Sequence, residues 1–413
     1  MTRQVLVLAN AIVVTATGSP PFSGAVVVEG DRIVEVVDGA PRRTGDATFI
    51  DLGGRSLLPG LIDAHVHATA VDADIQAQTL RRFQSEIAVL AGIALTEMLE
   101  RGFTTVRDAG GADAGFRRAI EDGALAGPRL LVSGRALSQT GGHGDQRAGT
   151  EEGGPVASSP HVGLLCVVAD GPDDVRRSAR EQLRRGADQV KVMASGGVMS
   201  PTDRLDSVQY SLEELAAAVQ VAESVGTYVM AHAYTPTAIS HCVAAGVRSI
   251  EHGNLLDGPT AKLMADHGTF LVPTLVTYEK LHDEGAQHGI GAERLDKLAR
   301  VIDAGLDSLR IARDSGVRIA SGSDLLGSMR RFQGGEIAIK SRVLGPLGAI
   351  IAATRTSAEL LGLDAEIGTI EAGKQADLVV VDGDVIDSPS LVGWAEHVSL
   401  VLKGGRILVD HLG

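Results

Sequence analysis

A chain of 413 residues exceeds the roughly 250–300 residues beyond which a single hydrophobic core stops growing, so a large domain with a smaller companion is expected. Hydrophobic residues make up 44% and charged residues 22%, a balance that excludes disordered, fibrous and membrane-spanning classes. Acidic residues outnumber basic ones by 52 to 38, for a formal charge of -14, and no Lys/Arg-rich stretch could track phosphates, so neither nucleic acid nor a membrane is an expected partner.

The first 58 residues read as strand and turn. VLVLANAIVV, AVVVEGDRIVEVV and TFIDLGGRSLLPG carry β-branched residues between Gly, Ser and Pro turns. Arg3 and the apolar run behind it faintly resemble a secretory leader, but Asn10 interrupts the run, and a cytoplasmic location is expected. Strands this short do not make a stable domain alone. The last segment, 362–413, supplies a partner in ADLVVVDGD and HVSLVLKGGRILVD, so the two ends are expected to meet in one small β-sandwich.

Residues 59–361 follow another rhythm, in which short apolar runs alternate with amphipathic stretches such as SLEELAAAVQVAESVG. Eight runs can be counted: LIDAHVH, FTTVRDAGG, PRLLVSGRA, ADQVKVMASGG, TYVMAHAY, VRSIEHGN, TFLVPTLV and VRIASGSD. Eight strand-helix repeats over this length predict an α/β fold of the (β/α)8 TIM-barrel type. Polar residues close these runs: His65 and His67, Asp108, Lys191, His232, His252 and Asp324. In a TIM barrel such strand ends converge on one mouth, where active sites are built.

His65 and His67 are two apart on a strand and therefore share a face, with Val66 opposite. His232 and His252 end consecutive strands, and neutral imidazole is the usual nitrogen ligand of zinc. Lys191 lies in an apolar strand where an unpaired ammonium is costly. A desolvated lysine is depressed in pKa, and its neutral amine can take up carbon dioxide as a carbamate. Asp324 can bind a metal and accept the proton of an attacking water, or cap a following helix. Cys166 and Cys242 stand in no metal or redox spacing and read as buried free thiols.

GLIDAHVH, Lys191, His232, His252, Asp324 and the closing GTIEAGKQADLVVVDGD resemble the amidohydrolase superfamily in kind and order over nearly the whole chain. The resemblance implies two divalent metal ions, with zinc favoured by the nitrogen ligands. His65, His67 and Asp324 would hold one metal and His232 and His252 the other. Carboxylated Lys191 and a metal-activated hydroxide would bridge the pair, with Asp324 as the catalytic acid/base.

GGHGD, carrying His143, and HAY, carrying Tyr234, resemble the subgroup of Xaa-Pro dipeptidases and N-acyl amino acid carboxypeptidases. That likeness implies a small substrate with a free carboxylate, contacted by His143 and Tyr234. Arg204 is a further candidate carboxylate partner. Gly334-Gly335 departs from the Xaa-Pro pattern, which leaves the proline preference open. A homo-oligomer is expected. A cyclic-amide hydrolase or deaminase of the same superfamily is the main alternative, although deaminases usually lack the bridging lysine. A non-catalytic metal-binding barrel and a partner-binding barrel are the others.

Overall fold

The computed structural model describes residues 5–41, 47–147, 149–151, 162–200 and 203–412. Chain order begins with β1 (Val5–Val13), β2 (Phe22–Glu29), β3 (Arg32–Asp38), β4 (Thr48–Asp51) and β5 (Ser56–Pro59). It ends with β16 (Leu378–Val381), β17 (Val398–Lys403) and β18 (Arg406–Asp410). These eight strands form one mixed sheet in the order β18-β17-β16-β5-β1-β2-β3, with β4 beside β1. The junction is the antiparallel pair β16 and β5, which sets Leu378 against Pro59. Alternating apolar residues explain why this sheet has a core of its own: Leu8, Val26, Ile33, Leu57, Val380 and Leu402 fall in one buried cluster, and such burial is worth roughly 1.5–3 kcal/mol per large aliphatic side chain.

The intervening strands are β6 (Leu61–Val66), β7 (Phe103–Asp108), β8 (Arg129–Val132), β9 (Ala136–Ser138), β10 (Cys166–Val168), β11 (Val190–Met193), β12 (Val229–Ala233), β13 (Ser249–His252), β14 (Phe270–Val272) and β15 (Arg318–Ile319). β6, β7 and β8 are parallel, as are β11 through β15. Backbone bonds join the two runs. Asp188 N–H donates to Val132 O at 2.7 Å after β8, and Ala64 N–H of β6 donates to Ser321 O at 2.7 Å beyond β15. The result is a TIM-barrel-like α/β fold, with each of the eight apolar runs of the sequence contributing one of these strands. β9 and β10, which pair with each other beside β11, were not anticipated. The run TFLVPTLV divides: Val272 ends the strand, and Leu275 begins the helix Leu275–Glu284.

Helix signals in the sequence act as expected at Leu212–Glu223, where Ser211 and Glu214 form a reciprocal capping box. The stretch Gly335–Leu361 is long and apolar enough to cross a membrane, yet half of its most apolar window is buried in the fold. Gly345 and Pro346 kink it, Lys340 pairs with Glu336 at 3.0 Å in the interior, and Ile337, Ala349 and Ile350 pack into a core cluster. It therefore serves as a core helix.

Candidate metal centre and active site

Parallel register sets the depth of each inward side chain. Met193 pairs with His232, and His232 with Glu251, while Ala233 pairs with His252. Lys191 pairs with Met230 and so starts two residues deeper than His232. Its four-carbon stem spans that difference, which is why a lysine at this level reaches the cavity that the shorter imidazoles reach from above. A cavity of about 240 Å³ is lined by His65, His67, Lys191, His232, His252 and Asp324 together with His143, Tyr234 and Tyr278.

His65, His67 and Asp324 bring their ligand atoms within 4.8 Å of one another. Asp324 Oδ1 lies 3.5 Å from His65 Nε2 and 3.3 Å from His67 Nε2, while Oδ2 lies 3.9 Å from His252 Nδ1. The His252 ring is 5.1 Å from His65 and 4.6 Å from His232. Asp324 is not at a strand end as predicted: β15 stops at Ile319, and Asp324 stands in the loop beyond it at a φ of 52°. Nor does it cap a helix, because the next helical turn begins after Leu326. His252, with φ 75°, and Thr274, with φ 49°, share this left-handed backbone, which costs non-glycine residues on the order of 1–3 kcal/mol and clusters at functional sites. Gly322 lets the Asp324 loop approach β6, since a Cβ there would stand 2.6 Å from His65 Cβ.

Each imidazole has one nitrogen engaged by an oxygen. His65 Nδ1 is 2.6 Å from Glu251 Oε2, His67 Nδ1 is 2.9 Å from Gly110 O, His232 Nε2 is 3.1 Å from Gly196 O, and His252 Nδ1 is 2.8 Å from Thr274 Oγ1. A carboxylate or carbonyl can only accept, so in the neutral form of those rings the other nitrogen carries the lone pair. Burial pushes His65, His232 and His252 below the ordinary imidazole value, His252 to about 3. At His67 burial acts the same way, but the Asp324 carboxylate outweighs it and the pKa rises. Burial would raise Asp324, yet His65, His67 and His252 hold it well below the usual carboxylate range. Lys191 is 1% exposed; among the described residues its ammonium enters no salt bridge, and burial lowers its pKa against the opposing pull of the Glu251 and Asp324 carboxylates. Imidazoles kept neutral by burial at His65, His232 and His252, the His67 imidazole against the ionised Asp324 carboxylate, and one desolvated amine form a donor set that fits divalent cations.

Several positioning residues escaped the sequence reading. Glu251 is fully buried between His65 and Arg107, whose Nη2 donates to its Oε1 at 3.0 Å, and Ser249 Oγ donates to the same oxygen at 2.6 Å. The signal was present: a charge inside each of the apolar runs FTTVRD and RSIEH, the same anomaly that exposed Lys191. Glu251→Gln would leave Arg107 without its countercharge, and we expect it to destabilise the protein by about 3 kcal/mol, measured by urea unfolding; a loss under about 1 kcal/mol would contradict this pairing. Asp63 accepts from His65 N and from Ser323 N and Oγ, tying β6 to the loop that carries Asp324. Asp108, predicted at the mouth, instead staples loops: its carboxylate accepts from Ala68, Gly110 and Ala112 N–H groups, and burial raises its pKa to about 6.

His143 stacks on His232 with centroids 4.2 Å apart, and its Nδ1 lies 3.4 Å from Asp203 Oδ2. The glycine-rich loop that bears it is tied down: His143 N donates to Gln209 Oε1, Gly144 N to Ser138 Oγ and Gly141 N to Asp145 Oδ2. Tyr234 packs edge-on to His232 and along His252. Arg204 does not join them. Its side chain is 83% exposed and pairs with Asp206 at 3.2 Å, so the carboxylate-binding role expected of it is withdrawn: the strand had ended, and the loop turns Arg204 outward and Asp203 inward. Arg204→Ala should leave kcat/KM within about 2-fold of the parent; a 10-fold loss would return it to the site. Cys166 lines the cavity and Cys242 is buried, both as free thiols.

Comparison with known proteins agrees with this architecture. The sequence model of the amidohydrolase family matches residues 56–408. Ochratoxinase of Aspergillus niger is 31% identical over 418 residues, covering 98% of this chain and 86% of the relative. A prolidase solved in complex with N-methylphosphonate-L-proline superposes with a TM-score of 0.95 at 44% identity, covering 98% of this chain and 100% of that one. A Xaa-Pro dipeptidase solved with bound methionine gives 0.88 at 30% identity, covering 99% and 100%. The chain belongs to the amidohydrolase family and is a hydrolase of carbon–nitrogen amide bonds.

Proposed function

We propose that this chain is a binuclear metal-dependent amidohydrolase that cleaves dipeptides of Xaa-Pro-like type or N-acyl amino acids. The observation that carries the reading is the set of imidazoles, each with one nitrogen engaged by an oxygen, gathered around Asp324 and a buried lysine that enters no salt bridge among the described residues. His65, His67 and Asp324 would hold one cation, His232 and His252 the second, and Lys191, as a carbamate, both; zinc suits the nitrogen donors. When bound, the metal pair supplies a nucleophilic water near neutral pH and polarises the scissile carbonyl.

The chain's own groups do the rest. Asp324 turns Oδ1 to His65 and His67 and leaves Oδ2 on the other side, where it takes the proton of the attacking water and delivers it to the leaving nitrogen. An acid and an amine result. His143 and Tyr234, on the wall beside His232, are suited to hold the substrate's carboxylate or carbonyl oxygen. The prolidase and dipeptidase neighbours favour a substrate with a free carboxylate, and ochratoxinase extends the range to other amides.

We further read the architecture as a closed (β/α)8 barrel over 59–361 with a composite β-sandwich from 1–58 and 362–413, supported by the separate buried cluster of the terminal sheet. Self-association is expected through the exposed apolar side chains Leu80, Phe83, Val89 and Ile93, and a cytoplasmic setting through the two unpaired cysteines. The test of activity is a panel of dipeptides and N-acyl amino acids offered to metal-loaded and to chelated protein. Hydrolysis of at least one member that chelation abolishes is expected; no metal-dependent hydrolysis of any member would sink the assignment.

A further inference from the structure

Gln333 runs in helical backbone into the helix Gly335–Ile351, so Gln333, Glu336 and Lys340, three and four residues apart, stand on one face of it. That face is polar yet buried: the three residues are 2%, 1% and 0% exposed. Each reaches a different part of the barrel. Gln333 Nε2 donates to Asp63 Oδ2 at 2.8 Å, and its Oε1 accepts from Arg101 Nε at 3.1 Å, which fixes the orientation of the amide. Glu336 Oε2 accepts from Val276 N at 2.7 Å. Lys340 Nζ donates to Ser321 Oγ at 2.9 Å and pairs with Glu336 Oε1 at 3.0 Å.

These contacts fall on the segments that carry or steady the residues facing the cavity. Asp63 accepts from His65 N on one side and from Ser323 N and Oγ on the other, so Gln333 holds the carboxylate that joins the His65 strand to the Asp324 loop. Ser321 lies in that same loop, and its carbonyl accepts from Ala64 N at 2.7 Å. Val276 closely follows Thr274, whose Oγ1 is 2.8 Å from His252 Nδ1. One helix face thus touches the supports of His65, Asp324 and His252 together.

Folding stability alone does not account for such a face. A fully buried ion pair gives up hydration that apolar side chains would not, and replacing the whole pair by apolar residues of similar volume is often neutral or stabilising. Directional bonds do what apolar packing cannot: they weaken steeply with misalignment and so fix the register of the atoms they join. We propose that Gln333, Glu336 and Lys340 are positioning residues of the metal centre, setting the spacing of His65, Asp324 and His252 and acting on cation affinity instead of on folded stability. The inference rests on the metal-dependent reading above and extends it to a helix none of whose residues is among those lining the cavity.

Removing one ion of the pair would strand the other, so Glu336→Leu is combined with Lys340→Met; Gln333→Leu, made separately, removes the amide and leaves the pair in place. In the metal-free protein the thermal midpoint of the paired variant is expected at or above that of the parent. Zinc affinity, measured by competition with a chromophoric chelator, is expected to fall at least about 10-fold in each variant, the lower end of what partners of metal ligands are worth. Affinity within 10-fold of the parent in every variant that folds overturns the proposal. So does an affinity loss confined to variants whose metal-free midpoint has also fallen, because that marks the face as plain structural support. A parent that takes up no zinc sinks the metal-dependent reading and this role with it, whereas zinc bound equally by parent and variants sinks the positioning role alone.

Discussion

Asp324→Asn is expected to lower kcat for amide hydrolysis by about 10³-fold, while leaving the fold intact. Asparagine keeps the shape of the carboxylate and its place in the loop at positive φ, where Asn is tolerated as well as Asp. It forfeits the charge that His65, His67 and His252 stabilise at Asp324 and the lone pairs that accept and return a proton. Because Oδ1 faces His65 and His67, metal affinity should fall as well. Steady-state kinetics at saturating metal separates the effects: if excess metal restores kcat to within 10-fold of the parent, Asp324 is a ligand without an acid/base role.

Lys191→Ala should strip the centre of metal and lower activity by more than about 100-fold, since even outer partners of metal ligands are worth roughly 10–100-fold in affinity. The space that the side chain vacates lies at the base of the cavity, and a small carboxylic acid such as acetate or propionate should fit there and restore part of the activity by supplying the two oxygens that a carbamate would. Metal content by atomic absorption, with and without added acid, checks this. Full activity or full metal content in the variant without added acid would remove the bridging role. Lys191→Met is the companion, filling the space without an amine; rescue by acid should then fail.

Much of the site was legible before any coordinates. The eight apolar runs each contributed a parallel strand, because the period of hydrophobic burial is a local property of the chain. His65 and His67 share a face by the alternation of a strand, and Lys191 betrayed itself as a charge inside an apolar run. What the sequence misjudged lay where strand rules stop applying. Arg204 and Asp203 are neighbours in a loop, and which of the two turns inward is decided by Gly197 N, Gln209 and Lys297 contacting Asp203, none adjacent in sequence. β9 and β10 were missed because they follow β8 with no helix among the described residues to set either off as a separate strand-helix repeat. Glu251 and Arg107 carried a signal that was readable in kind but not in partner.

Residue types and spacing alone thus located eight of the ten intervening strands, the inward histidines, the anomalous lysine and the membership of Asp324 in a mouth of polar residues. Only the tertiary structure decided which oxygen engages each imidazole nitrogen, that Asp108 staples loops instead of facing the cavity, and that Tyr278 meets Tyr234 in the cavity wall. The reason is physical: burial pattern is written into the local period of the chain, whereas hydrogen-bond pairing depends on distances of a few tenths of an ångström between residues far apart in sequence, as between Asp63 and Ser323, 260 positions apart.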